Sequence, residues 1–218
     1  MHTVVNGLVI RSVDYRDSDK ILTVLTDRLG RLTVSARGAR RRGSRLLPAV
    51  QLFAYSEMTL FAYNGRYRLD EAETREQFAG LRRDLDGAAL AAYLAEVLGT
   101  EAEGAPLHPD VMRLALNSLY ALSQGVGERW KVKAAFELRY AALCGYAPDD
   151  PTLRRALDEP ALACARYILG CGLKRILAFS LAGESRALLC DFTEKYLLSR
   201  LERGFSTLDF YRNLGELP

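Results

Sequence analysis

The chain is short of the residues that most chemistry needs. It has two histidines in 218 residues. His2 sits at a terminus expected to fray, and His108 precedes Pro109 at an expected helix start, a position for capping rather than proton transfer. No G-x-S-x-G, H-E-x-x-H or dinucleotide fingerprint occurs, so no catalytic constellation is found and the chain is not read as an enzyme. The four cysteines (Cys144, Cys164, Cys171, Cys190) form no C-x-x-C pair. They read as small buried hydrophobes in a reducing compartment, and no metal or other cofactor is expected. No uncharged apolar run reaches the 18 or so residues that a spanning helix requires, since even "GAALAAYLAEVLG" contains Glu96. The opening "MHTVVNGLVIRS" lacks the basic region and cleavage site of an export signal, so a cytoplasmic location is expected.

What is present is unevenly placed. The formal net charge is only +3, but residues 1–80 carry 13 Lys and Arg against 9 Asp and Glu, and the remainder 17 against 18. The excess is concentrated in "SARGARRRGSRLLPAVQLF", where Arg37, Arg40, Arg41, Arg42 and Arg45 fall within nine positions. Like charges this close repel one another, so the stretch implies an anionic neighbour. Nucleotide phosphate, a nucleic-acid backbone, an acidic protein tail and a membrane surface all qualify, as does a merely solvated cluster. Gly38 and Gly43 have P-loop spacing, but Ser44 and Arg45 stand where that motif needs Lys and Ser or Thr, and "LLPAVQLF" reads as a strand rather than a helix.

The hydrophobic period changes once. From Thr3 to about Ala72 it is short and strand-like, in "VVNGLVIRSV", "KILTVLTD", "RLTVSARG", "AVQLFAYSEMTLFAY" and "YRLDEAE", with turn signals at Gly30, Gly38, Gly43, Pro48 and Asn64-Gly65. Five short strands without room for crossover helices predict a small antiparallel barrel, led by the OB-fold; six-stranded and SH3-like barrels share the pattern. From residue 80 the period is helical. Leu81, Leu85, Ala88, Ala92 and Leu94 are expected on one buried face, and Val132, Ala135, Phe136, Tyr140 and Leu143 on another. "EPALACARYILG", "LKRILAF" and "SRALLCDFTEKYLLSRLERG" continue the helices. The expected class is α+β: a barrel domain at 1–79 followed by an all-α domain at 80–218.

A basic hairpin loop on a small barrel suits nucleic-acid phosphate, whose neutralisation releases counterions. Phe53, Tyr55, Phe61, Tyr63 and Tyr67 lie close in sequence and suit base stacking, although at least half are expected to point inward. Asp14, Asp17 and Asp19 in "DYRDSD" read as turn and strand-edge chemistry rather than a magnesium site. Lys131, Lys133 and Arg139, beside Trp130, Phe136 and Tyr140, suggest either a pocket for an acidic, apolar-tipped peptide or an ordinary amphipathic boundary.

Three stretches carry a family resemblance. "DYRDSDKILTVLTDRLGRLTVSARGARRRGSRLLPAVQLFAYSEMTLF" resembles the N-terminal signature of the bacterial RecO recombination mediators. "AAFELRYAALCGYAPD" resembles their helical-domain signature, and "YLLSRLERGFSTLDF" is similar to their closing helix and tail. The resemblance implies an OB-fold followed by a helical domain, and a non-enzymatic, cytoplasmic and nucleoid-associated role. That role is to bind single- and double-stranded DNA, anneal complementary strands, and work with RecR to load RecA onto DNA coated by single-stranded DNA-binding protein (SSB). It assigns DNA contact to Arg37, Arg40, Arg41, Arg42 and Arg45, and Lys20 and Arg31 join that set. Two features depart from the family pattern. Only "DDPTLRRALDE" stands where many members carry a four-cysteine zinc module, so zinc is not carried over. Ala134 and Ala135 occupy the place of arginines that bind the acidic SSB tail in some members, leaving Lys131, Lys133 and Arg139 as substitutes.

Overall fold

The computed structural model describes residues 1–214; the expected helical domain extends to 218, and its last four residues lie outside the described residues. Five strands come first: β1 (His2–Tyr15), β2 (Asp19–Thr26), β3 (Gly30–Ala36), β4 (Tyr55–Tyr63) and β5 (Arg66–Glu76). They close into a barrel in the order β1-β2-β3-β5-β4. Every pairing is antiparallel except the short parallel closure of β3 on β5 at Val34 and Tyr67 and at Ser35 and Arg68. This is the OB-fold.

The period of two decides what fills it. Val5, Val9, Leu22, Val24, Leu32, Val34, Met58, Leu60 and Leu69 point inward and are essentially inaccessible to solvent. β1 pairs β4 through its first half and β2 through its second, and a bulge between Val9 and Arg11 bends it between them.

The segment expected as a strand around Ala49–Phe53 is not one. Residues 37–54 form a chain of turns, with Val50 N donating to Leu46 O at 3.2 Å. The reason is visible in the spacing. Leu46, Ala49, Val50 and Phe53 recur at three and four residues, the spacing of one helical face, while Pro48 has no N–H for a ladder. Val50 and Ala39 are buried in the barrel core, with Leu46 packed against it. The basic stretch is therefore not a hairpin loop either: β3 and β4 are not neighbours, and the connection crosses from one side of the barrel to the other.

Among the described residues seven α-helices follow: α1 (Leu85–Leu98), α2 (Pro109–Gln124), α3 (Arg129–Leu143), α4 (Asp150–Ala156), α5 (Glu159–Gly170), α6 (Gly183–Leu201) and α7 (Ser206–Leu214). α3 is the central one, buried on most of its circumference and packed against α5 and α6. Of the face expected over residues 81–94, Leu81 and Leu94 are buried but Leu85 is 64% exposed, and Leu90, Tyr93, Val97 and Leu98 are buried as well. The apolar residues of "GAALAAYLAEVL" nearly encircle the helix, so their pattern does not single out a stripe. "LKRILAF" is a single 3-10 turn at Leu173–Arg175 followed by irregular chain.

The chain divides into two compact units. One comprises residues 1–79 with 95–112, the other 80–94 with the remainder. In the first unit the segment after α1 is fastened to β3. Arg31 Nε donates to Glu101 O at 2.6 Å, Gly104 N to Arg31 O at 2.9 Å, and Thr33 N to Glu103 Oε1 at 3.1 Å. Gly30 permits this approach, since at φ +69° a Cβ there would lie 1.8 Å from Ala105 O.

Candidate nucleic-acid interface

The connection between β3 and β4 is cationic yet held in place. Gly38, at φ +63°, turns the chain so that its N–H donates to Asp19 Oδ1 at 2.7 Å, and Arg40 N donates to Ser18 O at 2.9 Å. These two bonds fasten it to the β1–β2 turn. Further along, Ser12 Oγ donates to Val50 O at 2.8 Å and Phe53 N to Val9 O at 2.8 Å. With Ala39 and Val50 buried beneath, the loop is an anchored platform whose long side chains project outward.

Arg37, Arg40, Arg41, Arg42 and Arg45 are all exposed. Only Arg40 has an acidic partner among the described residues, Asp14 at 3.1 Å. Lys20 meets the same carboxylate at 2.9 Å and donates to Ser12 Oγ at 3.1 Å. The Lys20 hydrogen bond holds the Asp14 carboxyl below the ordinary carboxylate range, and both cations add attraction. Arg37, Arg41, Arg42 and Arg45 thus stand as four unneutralised cations around one internal ion cluster. Asp19 is engaged by the loop backbone, and no group of His, Cys, Asp and Glu among the described residues is arranged to hold a metal. Arg31 belongs to the structure rather than to this surface: its guanidinium is occupied by Glu101 O and lies 3.9 Å from Glu103.

Of the five aromatics singled out in the sequence, Phe53 is buried and Tyr67 packs against the barrel core. Three face outward rather than the expected minority, because Ser56, Met58 and Leu60 are the inward residues of β4, which places Tyr55 and Phe61 on its outer face. Phe61 is covered by Arg68, 5.1 Å from its ring centroid, and by His2, whereas Tyr63 is 67% exposed. The outer face of β1 lies outside the expected set. Arg11, Val13 and Tyr15 recur at every second residue there, and that alternation was the available signal. Val13 is 43% and Tyr15 47% exposed, and the Arg16 guanidinium lies over the Tyr15 ring at 5.1 Å. Arg16 adopts φ +52°, a left-handed conformation that costs a residue with a Cβ about 1 kcal/mol.

In the second unit the three expected peptide-binding cations do not form a surface. Lys133 is buried and ion-paired to Glu137 and Glu194, each at 2.7 Å. Burial opposes its charge, but those two carboxylates outweigh burial and raise its pKa. Glu137, with no accessible surface, also accepts hydrogen bonds from Tyr93 Oη at 2.9 Å and Thr193 Oγ1 at 2.8 Å. Glu194 in turn is held by Arg212 of α7. Arg139 donates to Ile168 O at 3.2 Å, to Leu169 O and to Cys171 O at 2.8 Å, satisfying carbonyls at the end of α5. Lys131 pairs with Glu128 at 3.6 Å and lies over Trp130 and Phe179. Exposed apolar surface instead borders Lys174 and Arg175, in a groove of about 470 Å³ lined by Tyr120, Val126, Ile176 and Leu177.

An OB-fold barrel carrying an anchored, unneutralised arginine loop, followed by a helical unit, defines a two-part protein whose barrel presents a cationic surface. The comparisons make that class specific. Residues 1–78 match the family model Recombination protein O N terminal, and residues 82–149 match Recombination protein O C terminal. The chain belongs to this RecO family of DNA repair proteins. It is 25% identical to DNA repair protein RecO of Acetivibrio thermocellus, with 97% of each chain covered. To the proteins of the same name from Desulforamulus reducens and Halalkalibacterium halodurans it is 35% and 31% identical, over 66% and 71% of this chain and 56% and 61% of theirs. No helix among the described residues is long and apolar enough to cross a membrane.

Proposed function

We propose that the chain is a DNA repair and recombination mediator that acts by binding rather than by covalent chemistry. Residues 1–79 hold single- and double-stranded DNA and residues 80–218 carry the partner contacts. The observation that carries this reading is the platform of Arg37, Arg41, Arg42 and Arg45, cationic side chains without carboxylate partners among the described residues, on a backbone fixed to the barrel. Guanidinium groups of this kind neutralise phosphate, release counterions and lower the repulsion between two strands brought side by side. Annealing of complementary strands follows from that screening, and in the cell the same property assists RecA loading with RecR on SSB-coated DNA, at the nucleoid in the cytoplasm.

The test is the triple substitution Arg40→Ala, Arg41→Ala, Arg42→Ala. It is expected to weaken binding to all DNA sequences alike and to lower the salt slope by roughly one unit for each phosphate no longer neutralised. Unchanged binding would remove the loop from the interface.

A second reading is favoured by the groove beside Lys174 and Arg175, whose apolar lining and cationic rim suit an acidic, apolar-tipped tail such as that of SSB. As a complete account it makes the chain an adaptor with little affinity for naked DNA, and the same binding measurement separates the two. In the mediator account this groove, rather than Lys131, Lys133 and Arg139, takes the tail.

A further inference from the structure

The outer face of β1 carries a pattern that phosphate binding leaves unexplained. Along the first unit's barrel, Leu22 and Val24 point inward, so Ile21 and Thr23 of β2 face out. In register they lie beside Val13 and Arg11 of β1. Tyr15 continues the same row, nearly half exposed, and Val13 is exposed to a similar degree. Singly exposed apolar residues are ordinary. Here neighbours sit in a row, and the cations that flank them, Arg11 and Arg16, have no carboxylate partner among the described residues. The bond from Arg40 N to Ser18 O places the β1–β2 turn, and with it Arg16, against the arginine loop.

We propose that this outer face, with Tyr15 as its stacking residue and Val13 and Ile21 beside it, binds the bases of single-stranded nucleic acid and makes the interface prefer single strands to duplex. The proposal rests on the nucleic-acid reading of the adjacent loop and adds to it the choice of strand state. Two chemistries divide the work. The loop arginines see phosphate, which both strand states display. An exposed ring and aliphatic row see base faces, which a duplex keeps stacked inside and a single strand presents. The Arg16 guanidinium already lies over the Tyr15 ring, the position a base takes, and on binding it moves to the neighbouring phosphate.

The test compares three labelled probes: an oligothymidylate, a tract of the same length built of abasic residues, and a duplex of that length. The wild-type protein should bind the oligothymidylate more tightly than the abasic tract. Tyr15→Ala should weaken oligothymidylate binding by about tenfold, leave duplex and abasic binding within about twofold, and keep the salt slope. Tyr15→Phe should behave as wild type, which separates loss of the ring from loss of folding. Equal affinity of the wild type for the abasic and thymidylate probes overturns the stacking face, as does a Tyr15→Ala effect that is absent or equal on the duplex; loop-dependent binding then still stands. If the wild type binds none of the three, the nucleic-acid reading falls with it.

Discussion

The chain holds two populations of cations that look alike on paper and behave oppositely in the fold. In the barrel unit, Arg37, Arg41, Arg42 and Arg45 project from an anchored loop without carboxylate partners among the described residues. In the helical unit, Lys133 is sandwiched between Glu137 and Glu194, and Arg139 is consumed by three backbone carbonyls. The difference teaches that a basic residue advertises a partner only when the fold leaves its charge unanswered. A buried ion cluster is set by its own geometry, and removing one member leaves the others in a medium that cannot solvate them. An exposed guanidinium is already hydrated, and its removal matters little except toward a ligand.

The sharpest way to break this comparison is Lys133→Ala. It strands the fully buried Glu137 carboxylate with only Tyr93 and Thr193 as donors, and should destabilise the protein by about 3–5 kcal/mol, read as a large fall in thermal midpoint. DNA affinity of the folded fraction should not change. The complementary case is the triple arginine variant of the loop. There DNA binding should fall by about a hundredfold at low salt while the thermal midpoint stays near that of the wild type, because no buried partner is exposed. A smaller effect sharpens the distinction within the loop itself. Asp14 engages both Lys20 and Arg40, so Asp14→Asn frees those cations and should tighten DNA binding by a few-fold. Weaker binding in Asp14→Asn would mean that the ion cluster shapes the loop rather than competing with phosphate.

Much of this architecture is legible in the residues alone. The change from alternation to helical period near residue 80 separates the strands from the helices, and the crowding of arginines between Arg37 and Arg45 marks the exposed cationic loop that is proposed to meet DNA. Other features were hidden for physical reasons. A short apolar run such as "LLPAVQLF" is compatible with a strand or a helical turn, and only the spacing of Leu46, Ala49, Val50 and Phe53, together with Pro48, decides between them. Lys133 reads as a surface residue in the sequence because its burial depends on two carboxylates, one of them 61 residues away on α6, that no local pattern announces. Arg31 reads as a free cation in the sequence because its partners at Glu101 and Glu103 come from the segment after α1, about 70 residues away. Tyr15 and Val13 are masked in the sequence by the acidic residues of "DYRDSD", although alternation along β1 places them outside the barrel.

The most direct test of the central claim is the anisotropy of a labelled, unstructured single-stranded oligonucleotide titrated with the wild-type protein across a range of salt. The account predicts binding whose logarithm falls linearly with the logarithm of salt, at about −0.7 per phosphate neutralised, with a total slope corresponding to the four free arginines or more. Absence of binding at low salt, or affinity indifferent to salt, would contradict it and leave the groove beside Lys174 and Arg175 as the working surface of an adaptor.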